Sequence, residues 1–189
     1  MHGDIIQKVA TVTGGGSGIG LATARAFVSQ GYATVLLDRD ELAGERARAE
    51  LGALGECAFI RCDVTDDEAV KQAINTTVER YGRLDAAFNG AGMDGANAPT
   101  ADASMDNWQR VLAVNLTATF SCMRYQLPHM VNAGGGAIVN CSSVAGRISG
   151  EGLPRVRARM AFVAVSLVRS KVDSKTAFMS ARPTVLRSV

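Results

Sequence analysis

Val9-Ala10-Thr11-Val12-Thr13-Gly14-Gly15-Gly16-Ser17-Gly18-Ile19-Gly20 is the stretch whose reading decides the fold. Its first part is an apolar run that reads as a buried strand over 8–12. Its end opens a helix over 18–30 with Ile19, Ala22, Ala26 and Phe27 on one face. Glycines at 14, 18 and 20 stand between the two. Without Cβ atoms they let the backbone turn tightly and approach a phosphate group, and a helix N-terminus offers free N–H groups and positive potential. A glycine-rich loop is by itself a weak signal and is often a mere turn. The spacing G-x-x-x-G-x-G also departs from the G-x-G-x-x-G fingerprint of other dinucleotide folds. The flanking chain has to decide.

Outward from that loop, strand and helix patterns alternate. Ala33–Asp38 reads as a second strand, 41–54 as a helix with exposed charge and 57–62 as a third strand. Thr65-Asp66-Asp67-Glu68 reads as a capping box opening a helix to about Tyr81. A fourth strand follows over 84–89, a long helix over 108–131 and a fifth strand over 137–141. Alternation of this kind calls for an α/β fold, a doubly wound parallel sheet with helices on both faces. Trp108 is expected as a core anchor and His129, after Pro128, as a surface or capping residue.

At 189 residues the chain has the length of one domain and can bury a sizeable core. The net charge is +2, unevenly spread. From Pro154 onward there are eight basic residues and one acid, leaving 12 basic and 17 acidic residues before it. A basic tail that binds an anion is one reading of that asymmetry. Cys57, Cys62, Cys122 and Cys141 have no metal-ligand spacing and are expected as reduced, mostly buried thiols. The start lacks the pattern of a signal peptide, and the apolar run 162–168 is too short to span a bilayer. The expectation is a soluble, cytoplasmic protein with neither nucleic acid nor membrane as partner.

Five ordered motifs carry a more specific signal. Thr13–Gly20, Cys62-Asp63-Val64, Asn89-Gly90-Ala91-Gly92, Asn115 and Asn140-Cys141-Ser142-Ser143 together resemble the short-chain dehydrogenase/reductase family, over about residues 5–153. The resemblance implies a Rossmann-like sheet of strand order 3-2-1-4-5, with later strands missing here. It also implies a dinucleotide-binding domain over 1–153 and an atypical basic segment over 154–189. The family moves hydride between a nicotinamide and a secondary alcohol or ketone, and intact members form homo-oligomers. By the resemblance, Gly14, Ser17, Gly18, Ile19 and Gly20 form the pyrophosphate loop. Asp63 and Val64 contact adenine, although Asp63 also reads as a strand-end cap. Asn89, Ala91 and Gly92 form a turn by the cofactor, with Gly90 where the family usually has a second Asn. Asn115 and Ser143 would be catalytic, with Ser142 a structural neighbour.

Asp38 closes the second strand, 18 residues after Gly20. An acid there accepts ribose hydroxyls of NAD and repels the 2′-phosphate of NADP. The alternative is a solvated strand-end acid, as Asp40 and Glu41 lie nearby. Arg39 leaves NADP open, but no basic residue stands in the glycine loop, so NAD is expected.

The family's Tyr-x-x-x-Lys pair lies about a dozen residues beyond the serine. There this chain reads Leu153-Pro154-Arg155-Val156-Arg157-Ala158-Arg159-Met160, and no tyrosine follows Tyr125. The Tyr moves the proton and the Lys lowers its pKa; an unperturbed phenol titrates near about 10. Little or no turnover is expected. From Pro154 the composition turns Arg-rich and, after Gly152, free of glycine. That resembles out-of-frame translation of a GC-rich gene, so a frameshifted or otherwise truncated product is expected. Strand five would then be a bare apolar edge, which invites aggregation, and homo-oligomerisation is doubtful for this chain. A non-catalytic dinucleotide-binding protein is the alternative reading. A Rossmann-type methyltransferase shares the glycine loop and the acid after strand two but leaves the Asn89 turn, Asn115 and Ser143 unexplained.

Overall fold

The computed structural model of the chain describes residues 7–96, 100–141 and 168–170. Strand β1 (Val9–Thr13) leads into helix α1 (Gly18–Ser29), β2 (Ala33–Asp38), α2 (Glu41–Gly52), β3 (Cys57–Arg61), α3 (Asp67–Tyr81) and β4 (Ala86–Asn89). Helices α4 (Met105–Leu112) and α5 (Ala118–Asn132), β5 (Gly136–Asn140) and β6 (Val168–Ser170) complete the order. Every residue of β1 and β4 is buried, as a central parallel strand covered on both faces requires. The sheet runs β3-β2-β1-β4-β5-β6, parallel throughout except for β6.

Two cores follow from the two-residue period of the strands. Val9, Val35, Leu37, Ala87 and Ile138 face α3 and α5 and pack with Val70, Ile74, Cys122 and Met130. Val12, Leu36 and Phe88 face α1 and α2 and meet Ala24, Val28, Ala47 and Leu51. The buried stripe of α1 is therefore Gly20, Ala24 and Val28, not the face containing Ile19, Ala22 and Ala26. The reason is closeness: a Cβ on Gly20 would overlap the Gly14 carbonyl, so the helix meets the loop along its smallest residues.

Three local expectations are corrected. Asp66, not Thr65, caps α3, its carboxylate accepting from the N–H groups of Glu68 (3.0 Å) and Ala69 (3.1 Å). Thr65 instead donates its hydroxyl to Asp63 at 2.7 Å. The long helix starts before Trp108, because Ser104 Oγ accepts from Asn107 N–H at 3.2 Å. It is also interrupted by a π turn at Ala113–Thr117. In its first turns Asn107 takes the buried position and Trp108 is half-buried. His129 lies within α5, its Nε2 3.1 Å from Asn75 Oδ1 on α3.

Strand β5 is not the edge of the sheet. Val168–Ser170 pairs antiparallel with it, Ile138 opposite Val168 and Gly136 opposite Ser170. The backbone groups of β5 thus find partners in the basic segment. On the α1/α2 side Ala137 and Val139 stay exposed, because no described helix covers β5 there. Among the described residues no helix is long and apolar enough to cross a membrane.

Candidate dinucleotide site

In this sheet the chain leaves β1 toward β2 and β3 on one side and returns to β4 and β5 on the other. Loops at the C-terminal ends of β1 and β4 therefore diverge, and a crevice opens between them. The glycine loop forms one lip. Gly14 has φ 69°, a left-handed conformation that favours glycine. A Cβ on it would stand 3.1 Å from the Ala91 Cα, so the loop and the turn after β4 touch backbone to backbone. The Gly14 and Gly15 N–H groups donate to Leu37 O at 2.9 and 3.4 Å, which pins the loop to the end of β2.

Ser17 is the N-cap of α1 and makes no side-chain capping bond. The first turn of α1 holds no acidic residue, so the positive end of the helix stays open to an anion. Gly18, at φ 53°, has open space around its missing Cβ, and Ile19 is 68% exposed beside it. A pyrophosphate fits this cradle of bare backbone.

Asp38 lies beside the loop. Its Oδ2 accepts from Gly16 N–H at 2.9 Å and its Oδ1 from Asp40 N–H at 3.0 Å. Each carboxylate oxygen keeps a further lone pair, so the group is aimed and still able to accept ribose hydroxyls. Cys62 N–H donates to Asp38 O at 2.9 Å and brings the end of β3 alongside. There Asp63 forms a tight turn, accepting from Thr65 N–H at 3.0 Å and from the Thr65 hydroxyl. These bonds hold the Asp63 carboxyl below its usual range, with a smaller contribution from the charges of Arg39 and Arg61. The Val64 side chain belongs to the core, which leaves only its backbone to face a ligand.

The other lip is the turn after β4. Thr13 Oγ1 accepts from Gly90 N–H at 3.0 Å and Ala91 N–H at 3.1 Å, spanning the crevice floor. Gly92 is exposed. The Asn89 side chain points below the crevice, to Gln126 and Asn140. Asn115 sits in the π turn and clasps the next part of the loop. Its Oδ1 accepts from Met93 N–H and its Nδ2 donates to Met93 O, both at 2.9 Å. π turns recur at functional sites, where they re-aim a side chain. Asn107, one helical stretch earlier, accepts from Ala96 N–H at 2.8 Å. Ser142 and Ser143 lie outside the described residues.

The structure thus brings Gly14, Ser17, Gly18, Ile19, Gly20, Asp38, Asp63, Val64, Ala91, Gly92 and Asn115 to one edge of the sheet. Asn89 stands directly beneath them. Asn107 and Gln126 escaped the sequence reading, and Thr13, which opens the glycine-loop motif, was not foreseen as the acceptor for Gly90 and Ala91. One signal for Gln126 was available: it interrupts the apolar stripe Ala118, Cys122, Met130 at four-residue spacing. Among the described residues no cluster of ligands could hold a metal.

A family model for short chain dehydrogenase matches residues 8–156. The chain belongs to the short-chain dehydrogenase family. It is 41% identical to 2,5-dichloro-2,5-cyclohexadiene-1,4-diol dehydrogenase of Sphingobium indicum over 144 residues, 76% of this chain and 57% of that protein. It is 42% identical to cyclohexanol dehydrogenase of an Acinetobacter species over 143 residues, 75% of this chain and 57% of that protein. The chain thus spans little more than half the length of these curated relatives. Among solved structures, NAD+-bound xylitol dehydrogenase superposes with a TM-score of 0.74 at 37% identity, covering 79% of this chain and 58% of that one. A variant of actinorhodin polyketide ketoreductase with NADPH gives 0.73 at 33% identity, covering 76% of this chain and 56% of that one. Family members therefore use either nicotinamide dinucleotide.

Proposed function

We propose that this chain binds NAD and descends from dehydrogenases of small cyclic secondary alcohols, with hydride transfer impaired by the missing Tyr-x-x-x-Lys pair. The observation that carries the NAD reading is the Asp38 carboxylate, aimed by two backbone N–H groups at the ribose side of the glycine loop. The absence of a basic residue within Thr13–Gly20 supports it, and Arg39, the cation next to Asp38 in sequence, lies within reach of Asp63.

In this reading Gly14, Ser17, Gly18, Ile19 and Gly20 hold the pyrophosphate, and Asp63 and Val64 flank the adenine. Ala91 and Gly92, anchored through Asn89, border the nicotinamide. NAD, when bound, supplies the hydride acceptor. Asn115 keeps the loop at Met93 in place, and Ser143 would orient a substrate oxygen. No side chain named here takes the proton. A positioned acid–base group contributes about 10²–10⁴-fold in rate, and turnover falls by at least that factor without one. The substrate class rests on the names of the cyclic-alcohol dehydrogenases to which the chain is similar.

We read residues 154–189 as an out-of-frame ending of a dehydrogenase gene. Their composition and the end of the family match at 156 support this. One observation favours a second reading, a non-catalytic dinucleotide binder with a genuine basic segment: Val168–Ser170 adds a strand to the sheet. Two measurements decide. Fluorescence titration with NADH, followed by assay with cyclohexanol and NAD+, should show binding with little or no turnover; no binding would refute both readings. The coding DNA across codons 150–189 separates them. A Tyr-x-x-x-Lys pair in another frame supports the frameshift, and none in any frame supports the binder.

A further inference from the structure

Helix α5 buries its stripe Ala118, Cys122, Gln126 and Met130 against the sheet. Packing alone would be served by an apolar residue at 126, and burying an amide is costly unless it is paired. Gln126 is fully buried, at 0% exposure, and its amide is paired on both sides. Its Oε1 accepts from Asn89 Nδ2 at 3.1 Å, and its Nε2 donates to Asn89 Oδ1 at 2.9 Å and Thr11 Oγ1 at 3.5 Å. Asn89 Nδ2 also donates to Asn140 Oδ1 at 2.9 Å, and Asn140 Nδ2 donates to Met123 Sδ at 3.3 Å. Among the described residues no buried side-chain polar atom lacks a partner. Gln126 thus ties strand β1 to β4, and the Asn89 side chain carries the link on to β5.

The place of this network gives it a role. Asn89 and Asn140 are the last residues of β4 and β5 and face each other in register. Immediately beyond them stand the turn Gly90–Gly92 and Cys141, whose N–H donates to Asn89 O at 2.8 Å. Paired amides fix distance and orientation in a way that sliding apolar contacts do not. We propose that Gln126 is a positioning residue for the nicotinamide half of the dinucleotide site, its buried amide setting the spacing of the strand ends β4 and β5 through Asn89 and Asn140. This inference rests on the dinucleotide reading above. The adenylate half is held separately, by Gly14 and Gly15 on Leu37 O and by Asp38 on Gly16 N–H.

The test compares the two halves in the full chain carrying Gln126→Met, which keeps the size of the side chain and removes both amide functions. Amide hydrogen exchange, read residue by residue by NMR, should accelerate by about tenfold or more at Gly90, Ala91 and Cys141 and stay unchanged at Gly14 and Gly15. NADH affinity should fall by about tenfold and ADP-ribose affinity by less than about twofold. Uniform acceleration, or none, overturns the proposal, since a merely structural residue would act on both halves alike. Should Gln126→Met not fold, Thr11→Val removes one partner of the amide and should accelerate the same three amides by about threefold. No change there likewise overturns it. If the unaltered chain binds neither NADH nor ADP-ribose, the dinucleotide reading fails, while the exchange pattern still decides whether Gln126 positions the strand ends.

Discussion

Thr13→Val isolates the bond that holds the two lips of the crevice together. The side chains have nearly the same shape, and Thr13 is 1% exposed, so packing is preserved. What disappears is the hydroxyl oxygen accepting from the Gly90 and Ala91 N–H groups at 3.0 and 3.1 Å. A buried donor left without an acceptor costs about 1–3 kcal/mol. Both residues are half-buried, so water satisfies part of the loss and the total should be about 2–3 kcal/mol. For a chain of this size that lowers Tm by roughly 5–10 °C. Urea unfolding followed by far-UV circular dichroism, with thermal melts beside it, reads the effect. Thr13→Ser keeps the hydroxyl and loses a methyl group, a loss of about 1 kcal/mol. Valine should therefore be worse than serine, although it is the larger and more apolar replacement. If valine costs under about 0.5 kcal/mol, or less than serine, Thr13 does not anchor the turn and the account of the crevice floor is wrong.

Gly20→Ala drives a methyl group into the Gly14 carbonyl, so α1 must withdraw from the loop; NADH binding, read by fluorescence titration, should be lost. Asp38→Ser removes the charge that repels a 2′-phosphate, and the ratio of NADPH to NADH affinity should rise by about tenfold or more, as measured by calorimetry. The Asp63 carboxyl titrates below its usual range because Thr65 donates to its ionised form. Its contribution to stability is therefore present above the unfolded value of about 3.9 and is lost as pH falls through the folded value. In Asp63→Asn the acid-side fall in Tm should be shallower, by an effect under about 1 kcal/mol because the group is exposed. Burial pushes the thiols of Cys57 and Cys62 up to about 11 and that of Cys122 up to about 12. All three should resist a thiol reagent at neutral pH in the folded chain, whereas exposed Cys141 reacts at once, as peptide mass mapping after brief labelling would show.

The order of elements was legible because it is written in local periods. Continuous apolar runs such as Ala33-Thr34-Val35-Leu36-Leu37 mark strands buried on both faces, and the glycine loop between β1 and α1 marks a crevice lip. Those signals involve near neighbours and carry the fold class and the residues of the glycine loop, whereas the strand order was implied by the family resemblance. Cap identity was less legible, because Thr65 and Asp66 offer the same chemistry one residue apart and only the backbone path selects Asp66.

Tertiary structure decided what depends on residues distant in the chain. Which face of α1 is buried follows from how closely the helix must approach the Gly14 carbonyl, and the small stripe Gly20, Ala24, Val28 wins over the more apolar face. That β5 is covered follows from pairing with Val168–Ser170, about thirty residues away in a stretch whose pattern fits helix or strand alike. Thr13 meeting Gly90 and Gln126 meeting Asn89 are contacts across 77 and 37 residues. A hydrogen bond of that span has no local period to announce it, because its partners come together only when parallel strands are laid side by side.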